Sequence, residues 1–219
     1  MLRPGKDKGL ASPLPLGLAA LGTTTFLMGA AAVFQSSASL PPYAMQALLF
    51  GGLIELLAGM WTFAYGDPLA ATTFSFMGAF FGWWGLAQMP LLGAHAAAST
   101  VTTSSAMVFF VTGVVVAFLW IASFYEFAAF NLVLLFLWVG LILSGTAIAG
   151  DYAALRVTGG AAAIISGLIA GYAAFADMYN SASLEEIVPV GESKAVRARV
   201  EHEEMERIRR IHPTGSYGT

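Results

Sequence analysis

Long apolar runs fill most of this chain, and they constrain its fold more than any other feature. Runs of about 20 mainly apolar residues, the length that crosses a bilayer as a helix, recur between residues 15 and 179. Charged residues make up only 11% of the sequence, against about 25% in a typical soluble domain. Because the runs are longer than the strands of a transmembrane barrel, the sequence predicts an all-α, polytopic membrane protein.

Six spans can be placed by the turn residues that flank them. Proline, glycine and polar clusters separate the runs, and Asp67 followed by Pro68 predicts a capped helix start. The predicted spans are 15–34, 43–65, 69–89, 105–124, 127–149 and 157–179. We therefore expect a leader at 1–11, a six-helix transmembrane domain at 12–180 and a soluble charged tail at 181–219.

The ten Lys and Arg residues are concentrated at the two ends of the chain. Three precede the first span, six follow the last, and only Arg156 lies between spans, in a loop predicted to open at Gly150. The positive-inside rule then predicts cytoplasmic termini and a cell-membrane location. Arg156 would lie on the outer side, close enough to Asp151 to pair with it. A second loop, rich in Ala, Ser and Thr, is predicted at 91–104.

Several classes of function find no support in the sequence. The chain has no cysteine, which excludes disulfides and thiolate chemistry. Its three histidines, at positions 95, 202 and 212, lack the spacing of a metal site. No phosphate-binding loop or catalytic set is visible, and a net charge of −3 gives no case for nucleic acid. Transport is therefore favoured over enzymatic activity, with no metal or cofactor expected.

The first span opens with the sequence SPLPLGL at residues 12–18. Ser12 can cap the helix, and prolines such as Pro13 and Pro15 are tolerated at a helix start, where their missing N–H groups would be unpaired anyway. Gly17 permits another group to come close to the backbone. The motif therefore predicts a fixed helix entry next to a close contact.

The same span mixes apolar side chains with hydroxyl groups on one face. Three- and four-residue spacing brings together Leu21, Thr24, Thr25 and Met28. Such a face suits a pore wall, and it also suits a helix–helix contact built on small residues. The sequence leaves both interpretations open.

Small and aromatic residues predict how the spans pack. Two GxxxG pairs indicate close helix contacts in lipid; they are Gly78 with Gly82 and Gly167 with Gly171. The aromatic cluster at residues 80–84 is expected to face lipid or the membrane interface.

Glu55 is the ionisable residue placed deepest within a predicted span. A carboxyl group in the bilayer is costly and is by default a functional-site hypothesis. Since burial disfavours its charged form, Glu55 is a candidate proton carrier. The alternative is a protonated carboxyl group that hydrogen-bonds a neighbouring helix. Asp177, near the end of the last span, is expected to be solvated.

Four stretches together resemble the acetate uptake transporter family, also called succinate–acetate permeases. They are residues 12–18, 51–61, 66–80 and 188–192, and their order and spacing agree with the family over about residues 12–192. The resemblance implies six-span protomers that form homohexamers with a pore in each protomer. It also implies passage of acetate and, in some members, succinate and other short monocarboxylates, by a channel or by proton coupling.

The resemblance further implies a hydrophobic constriction made by Leu21, Met77 and Leu137, where relatives carry Phe, Tyr and Leu. It assigns Ala170 to a position linked with substrate range. Glu55 stands where relatives usually carry Gln, which cannot titrate.

These observations give one expected function and two alternatives. We expect transport of acetate and other small monocarboxylates, with succinate included, coupled to protons through Glu55. The expected pore residues are Leu21, Thr24, Thr25, Thr73, Met77, Leu137 and Ala170. The alternatives are a passive channel for small solutes without proton coupling, and a non-transporting membrane sensor or scaffold.

Overall fold

A computed structural model describes residues 11–34, 40–89, 98–183 and 187–191, together with residue 205. All regular elements in these residues are helical. The helices are α1 (Leu14–Phe34), α2 (Leu40–Gln46), α3 (Glu55–Tyr65), α4 (Pro68–Ala87), α5 (Ala98–Ala122), α6 (Ala128–Gly150) and α7 (Ala153–Ser183). A π-helical segment, Ala47–Ile54, joins α2 to α3 without a break.

Five helical segments of the described residues are long and apolar enough to cross a membrane. They are Leu14–Phe34, Pro42–Tyr65, Thr103–Tyr125, Ala128–Gly150 and Ala153–Ser183. The 20-residue helix α4 is not among them, because threonine, glycine and tryptophan lower its hydropathy. Each of the six predicted spans is therefore a helix, and the class of all-α, multi-pass membrane protein is confirmed.

The predicted loops are shorter than expected. Helix α5 begins at Ala98, inside the loop predicted at 91–104. Helix α7 begins at Ala153 and ends at Ser183, so Arg156 is helical and the predicted boundary at 180 falls inside the helix. Alanine-rich flanks carry no signal that stops a helix. The leader up to residue 10, all three histidines and most of the tail lie outside the described residues.

Two predicted helix caps are confirmed. The Leu14 N–H donates to Ser12 Oγ at 3.4 Å. The Ala70 N–H donates to Asp67 Oδ1 at 2.9 Å, with Pro68 as the first residue of α4. These bonds satisfy N–H groups that a helix start leaves without partners.

Glycines bring α1 and α7 into backbone contact in antiparallel orientation. A Cβ atom added at Gly160 would lie 2.8 Å from the Gly29 carbonyl oxygen, and one added at Gly167 would lie 2.6 Å from the Gly22 carbonyl oxygen. The predicted helix contact at Gly167 is therefore confirmed. A Cβ atom at Gly171, the other member of its pair, would meet no atom within 4 Å among the described residues, although the Gly171 backbone N lies 3.0 Å from a Cβ atom built at Gly22. Its predicted role at a contact within or between protomers stays a prediction.

The other helices close a ring with these two. Helix α7 packs on α6, where Ser166 Oγ donates to the Val133 carbonyl oxygen at 2.8 Å. Helix α6 packs on α5 and α4 packs on α3 through further glycine contacts. An edge-to-face contact of Phe80 with Phe109, with ring centroids 5.2 Å apart, joins α4 to α5. The π-helical segment, at Gly51, packs on both α1 and α4 and completes the ring.

The aromatic cluster of α4 lies mainly inside this ring. Phe80, Phe81 and Trp84 are 5%, 0% and 8% exposed. The prediction that the cluster faces lipid or the interface is therefore wrong for these three side chains. They fill the space between α4 and its neighbours, and Phe81 packs directly against Gly51 of the π-helical segment.

Residues 187–191, called here the C-terminal strap, fold back onto the bundle. The first two N–H groups of α6 donate to the carbonyl oxygens of Gly191 and Val190, at 2.6 and 3.2 Å. The Asn180 side chain donates to the Val188 carbonyl oxygen and accepts from the N–H groups of Ile187 and Val188. The start of the predicted soluble tail is therefore part of the folded bundle.

Candidate functional site

Buried apolar side chains from several helices pack together inside the ring. Leu21 of α1, Met77 of α4 and Leu137 of α6 are at most 1% exposed, and all belong to one apolar cluster. Ala170 of α7 is fully buried in the same cluster. The structure therefore brings together the residues that the resemblance implied for a constriction. We call Leu21, Met77 and Leu137 the plug.

The N-terminal motif packs beside the plug. Gly17 lies against the ring of Phe74, which a Cβ atom at this position would overlap. The Gly17 N–H donates to the carbonyl oxygen of the buried Pro13 at 3.1 Å, and Pro15 is half-buried. The close contact predicted at Gly17 is confirmed, and it fixes the start of α1 on α4.

The three predicted pore threonines are all buried, but their hydroxyl groups differ in their hydrogen bonds. Thr24 Oγ1 accepts a hydrogen bond from Gln46 Nε2 at 3.0 Å. Thr73 donates to the Leu69 carbonyl oxygen of its own helix at 2.8 Å. Thr25 Oγ1 has no partner among the described residues. Among the three, the hydroxyl group of Thr25 is thus the one that makes no hydrogen bond in the described part of the chain.

Thr25 lies between the plug and a cavity. It follows Leu21 by four residues and precedes Met28 by three, so the three side chains share one face of α1. Leu21 belongs to the plug and Met28 lines the cavity. The free hydroxyl group is thus at the transition from open to closed space.

The cavity has a volume of about 360 Å³ and is lined by α1, α4, α5, α6 and α7. Its wall includes Met28, Trp84, Phe109 and Ser144, with Asp151 and Arg156 as its charged residues. It lies toward the end of the bundle opposite the N-terminal motif and the C-terminal strap. Since five of the six spans contribute, the cavity lies on the axis, above the plug.

The predicted ion pair between Asp151 and Arg156 is absent from the described residues, although both line the cavity. Asp151 is exposed at the end of α6, in a left-handed conformation with φ 51°. Arg156 is half-buried, and its Nε atom is buried without a hydrogen-bond partner in the described part of the chain. The two charges therefore remain separate.

Glu55 is fully buried, and neither of its carboxyl oxygen atoms has a hydrogen-bond partner among the described residues. Helices α3 and α4 run antiparallel, and three contacts set their register: Gly52 with Gly82, Leu56 with Gly78, and Gly59 with Ser75. In this register Glu55 lies opposite Ala79, two residues, or about 3 Å along the axis, from the level of Met77. The carboxyl group is thus close to the level of the plug, on the span that packs behind α1 and α4.

Two features of the site had little or no sequence signal. Asp177 is 2% exposed, so the prediction that it is solvated is wrong; its position near a predicted span end was misleading because α7 continues beyond it. The π-helical segment before Glu55 has more residues per turn than an α-helix, and this changes which side chains face inward. Paired glycines at 51 and 52 mark this place in the sequence, but glycine pairs also occur in ordinary helices.

Residues 1–191 match the sequence model of the GPR1/FUN34/yaaH family. The fold is similar to the structure of the bacterial acetate channel SatP, with a TM-score of 0.77 over 83% of this chain and 99% of that chain, at 24% identity.

Two named relatives match over shorter regions. Acetate permease A of Emericella nidulans is 39% identical over 71 residues, which are 32% of this chain and 24% of that protein. Ammonia transport outward protein 2 of Saccharomyces cerevisiae is 29% identical over 93 residues, which are 42% of this chain and 33% of that protein. The chain thus spans between a quarter and a third of the length of these relatives.

The family match covers most of the chain and includes the four stretches that carried the resemblance, apart from residue 192 at the end of the fourth, and the resemblance is therefore confirmed. The family includes acetate permeases, and its members are transporters and channels rather than enzymes. The chain belongs to the GPR1/FUN34/yaaH family.

Proposed function

We propose that the protein passes acetate and other small monocarboxylates across the cell membrane along the axis of its helix ring. The observation that carries the proposal is an apolar plug from α1, α4 and α6 beneath a cavity lined by five helices. The names of two similar proteins, an acetate permease and an acetate channel, support acetate as the first substrate to test.

The plug acts as a hydrophobic gate in this proposal. An apolar constriction excludes water and ions when narrow and conducts when it widens enough to hydrate. Met77 has an unbranched, flexible side chain, which allows it to move aside without displacing a helix. Leu21 and Leu137 then set the width of the open path.

We also propose that Glu55 couples proton movement to carboxylate movement. Its carboxyl group is close to the level of the plug, opposite Ala79, and lacks a hydrogen-bond partner among the described residues. A structural carboxyl group pinned to a neighbouring helix would be expected to have such a partner. Glu55 is therefore free to exchange a proton when the plug hydrates.

Flux into proteoliposomes tests both proposals. Labelled acetate uptake is measured with an acetate gradient alone and with an added inward proton gradient, for wild type and Glu55→Gln. The amide keeps shape and hydrogen bonding but cannot titrate. We expect the variant to retain downhill acetate flux and to lose the acceleration by protons.

Glu126→Gln provides a matched control, because it makes the same chemical change in the segment between α5 and α6. Full proton acceleration in Glu55→Gln would show that Glu55 is structural. Proton-independent flux in the wild type would instead favour a passive channel, the second candidate. No flux of any solute would favour a sensor or scaffold.

The range of substrates is tested in the same assay with formate, acetate, lactate and succinate. Ammonia is included because a similar yeast protein is named for its transport. For the assembly, we propose a homohexamer with both termini in the cytoplasm. Mass photometry measures the oligomer, and since the chain has no cysteine, single introduced cysteines report the orientation of each end.

A further inference from the structure

We propose that Arg156 and the cavity around it form a docking site for a small carboxylate anion. The site lies at the mouth of the path, where it concentrates the permeant before the plug. This inference rests on the proposed function for its role in transport, but binding itself can be measured without transport.

The cavity has the size and the walls of a small-ligand site. Its volume of about 360 Å³ falls in the range of ligand pockets, about 300–1,000 Å³. Apolar side chains such as Met28 and Ile148 form much of the wall, and Ser144 adds a hydroxyl group. Apolar walls with a few polar groups are typical of sites that orient a small molecule.

Arg156 supplies the cation that such a site needs. It is the fourth residue of α7 and lines the cavity. Its Nε–H group is buried and donates no hydrogen bond among the described residues. A buried donor without a partner is costly, and a bound anion would provide the acceptor. The start of a helix also adds positive potential at this place.

The geometry of the guanidinium group favours a carboxylate. Its planar N–H groups match the two oxygen atoms of a carboxylate and bind them together. In acetate, the methyl group would then contact the apolar wall. Asp151, the other charged residue of the lining, is exposed and forms no ion pair with Arg156 in the described residues, so it leaves the guanidinium group available.

The same chemistry could serve the phosphate of a lipid headgroup, since arginines near helix ends often extend toward the membrane interface. The buried Nε atom and the five-helix lining favour a ligand inside the protein. An internal site also explains why the cation lies on the axis. The experiment below separates the two sources.

Binding is measured by saturation-transfer NMR on the methyl signal of acetate, with the purified full-length protein in detergent. Acetamide, which has the same shape and no charge, is the matched neutral ligand. We expect saturable binding of acetate that weakens about tenfold in Arg156→Gln, because one charge-assisted interaction is lost. Arg156→Lys keeps the charge but loses the planar pair of N–H donors, so its affinity for acetate should be intermediate. Acetamide binding should be equal in all three proteins.

Flux measurements connect the site to transport. In proteoliposomes, Arg156→Gln should raise the half-saturating acetate concentration about tenfold and leave the maximal rate nearly unchanged. Lys194→Gln removes a cation of the C-terminal segment instead, and should change neither value. Elution of each variant at the wild-type volume in size-exclusion chromatography confirms that it is folded.

Each result decides a separate question. Equal acetate binding by wild type and the folded Arg156→Gln variant would overturn the docking site. Loss of acetate binding in vesicles with anionic phosphatidylglycerol, but not with phosphatidylcholine, would assign Arg156 to lipid and also overturn it. Binding that depends on Arg156 in a wild-type protein without acetate flux would support the site and refute the proposed function. Acetate flux by the wild type, with the same half-saturating acetate concentration in Arg156→Gln, would support the proposed function and refute the docking site.

Discussion

Shortening Leu137 tests whether the plug sets the size limit of the path. The side chain is 1% exposed and belongs to the central apolar cluster, so Leu137→Ala leaves a space that its neighbours fill only in part. The change removes three carbon atoms at about 0.8 kcal/mol each. If half of this contact must be broken during passage, the barrier falls by roughly 1.2 kcal/mol, close to tenfold in rate.

The assay is the ratio of lactate flux to acetate flux in proteoliposomes. A ratio cancels differences in the amount of reconstituted protein. We expect lactate flux to rise by up to about tenfold in Leu137→Ala and acetate flux to rise less, so that the ratio rises several-fold, since the larger acid gains more from a wider path. The variant should also lose about 2–5 kcal/mol of stability, as large-to-small core changes do.

Leu132→Ala is the matched control. It makes the same change on the same helix at a side chain that is 41% exposed, outside the central cluster. We expect its flux ratio to equal that of the wild type. An unchanged ratio in folded Leu137→Ala would refute the argument that this side chain limits the path.

Three further predictions concern packing, polarity and the strap. Gly167→Ala should lower the melting temperature, because its Cβ would overlap backbone atoms of α1 at a cost of about 1–3 kcal/mol; Gly171→Ala, with open space around it, should not lower it. Thr25→Val should slow acetate several-fold, whereas Thr72→Val, at an exposed hydroxyl bonded within α4, should not, as measured by flux. Asn180→Ala should speed proteolysis at residues 187–191, measured by mass spectrometry, because the strap loses its side-chain hydrogen bonds; an unchanged digestion rate would contradict this.

The spans could be predicted from the sequence because each is fixed by local composition. A run of about 20 apolar residues forms a helix in lipid whatever its neighbours are. The helix starts of α5 and α7 could not be predicted as well, since alanine-rich flanks continue a helix without a boundary signal. Hydropathy therefore predicts the number of helices better than their ends.

Which side chains point into the bundle and which point toward lipid is harder to predict from the sequence. Helices that are apolar all round carry no stripe that marks an inner face, which is why the aromatic cluster of α4 was placed toward lipid. The burial of Asp177 also has no sequence signal, because it depends on helices that are distant along the chain. Met77 and Leu137 are implied only by the family resemblance, whereas Leu21 also follows from spacing within α1, which leaves a pore wall and a helix contact both open.

The cavity and the strap depend on tertiary structure alone. In the sequence, Arg156 is the one cation that lies between predicted spans. This isolation is the only sequence signal that the residue has an unusual position. Nothing in residues 187–191 predicts that their carbonyl groups cap α6, because that contact requires α7 to return the chain to the start of α6.

In the proposed function, the order of groups along the axis constrains how an acid can cross. A carboxylate at Arg156 has a cation beside it, and one at Thr25 has a hydroxyl group, but the plug offers it no polar partner. An ion in an apolar space without a partner is strongly disfavoured. The acid must therefore cross either with water, after the plug widens, or in its neutral form, with a proton. Widening by Leu137→Ala favours the first route, and removal of a titratable group by Glu55→Gln affects only the second. The two variants together thus separate a hydrated channel from a proton-coupled path.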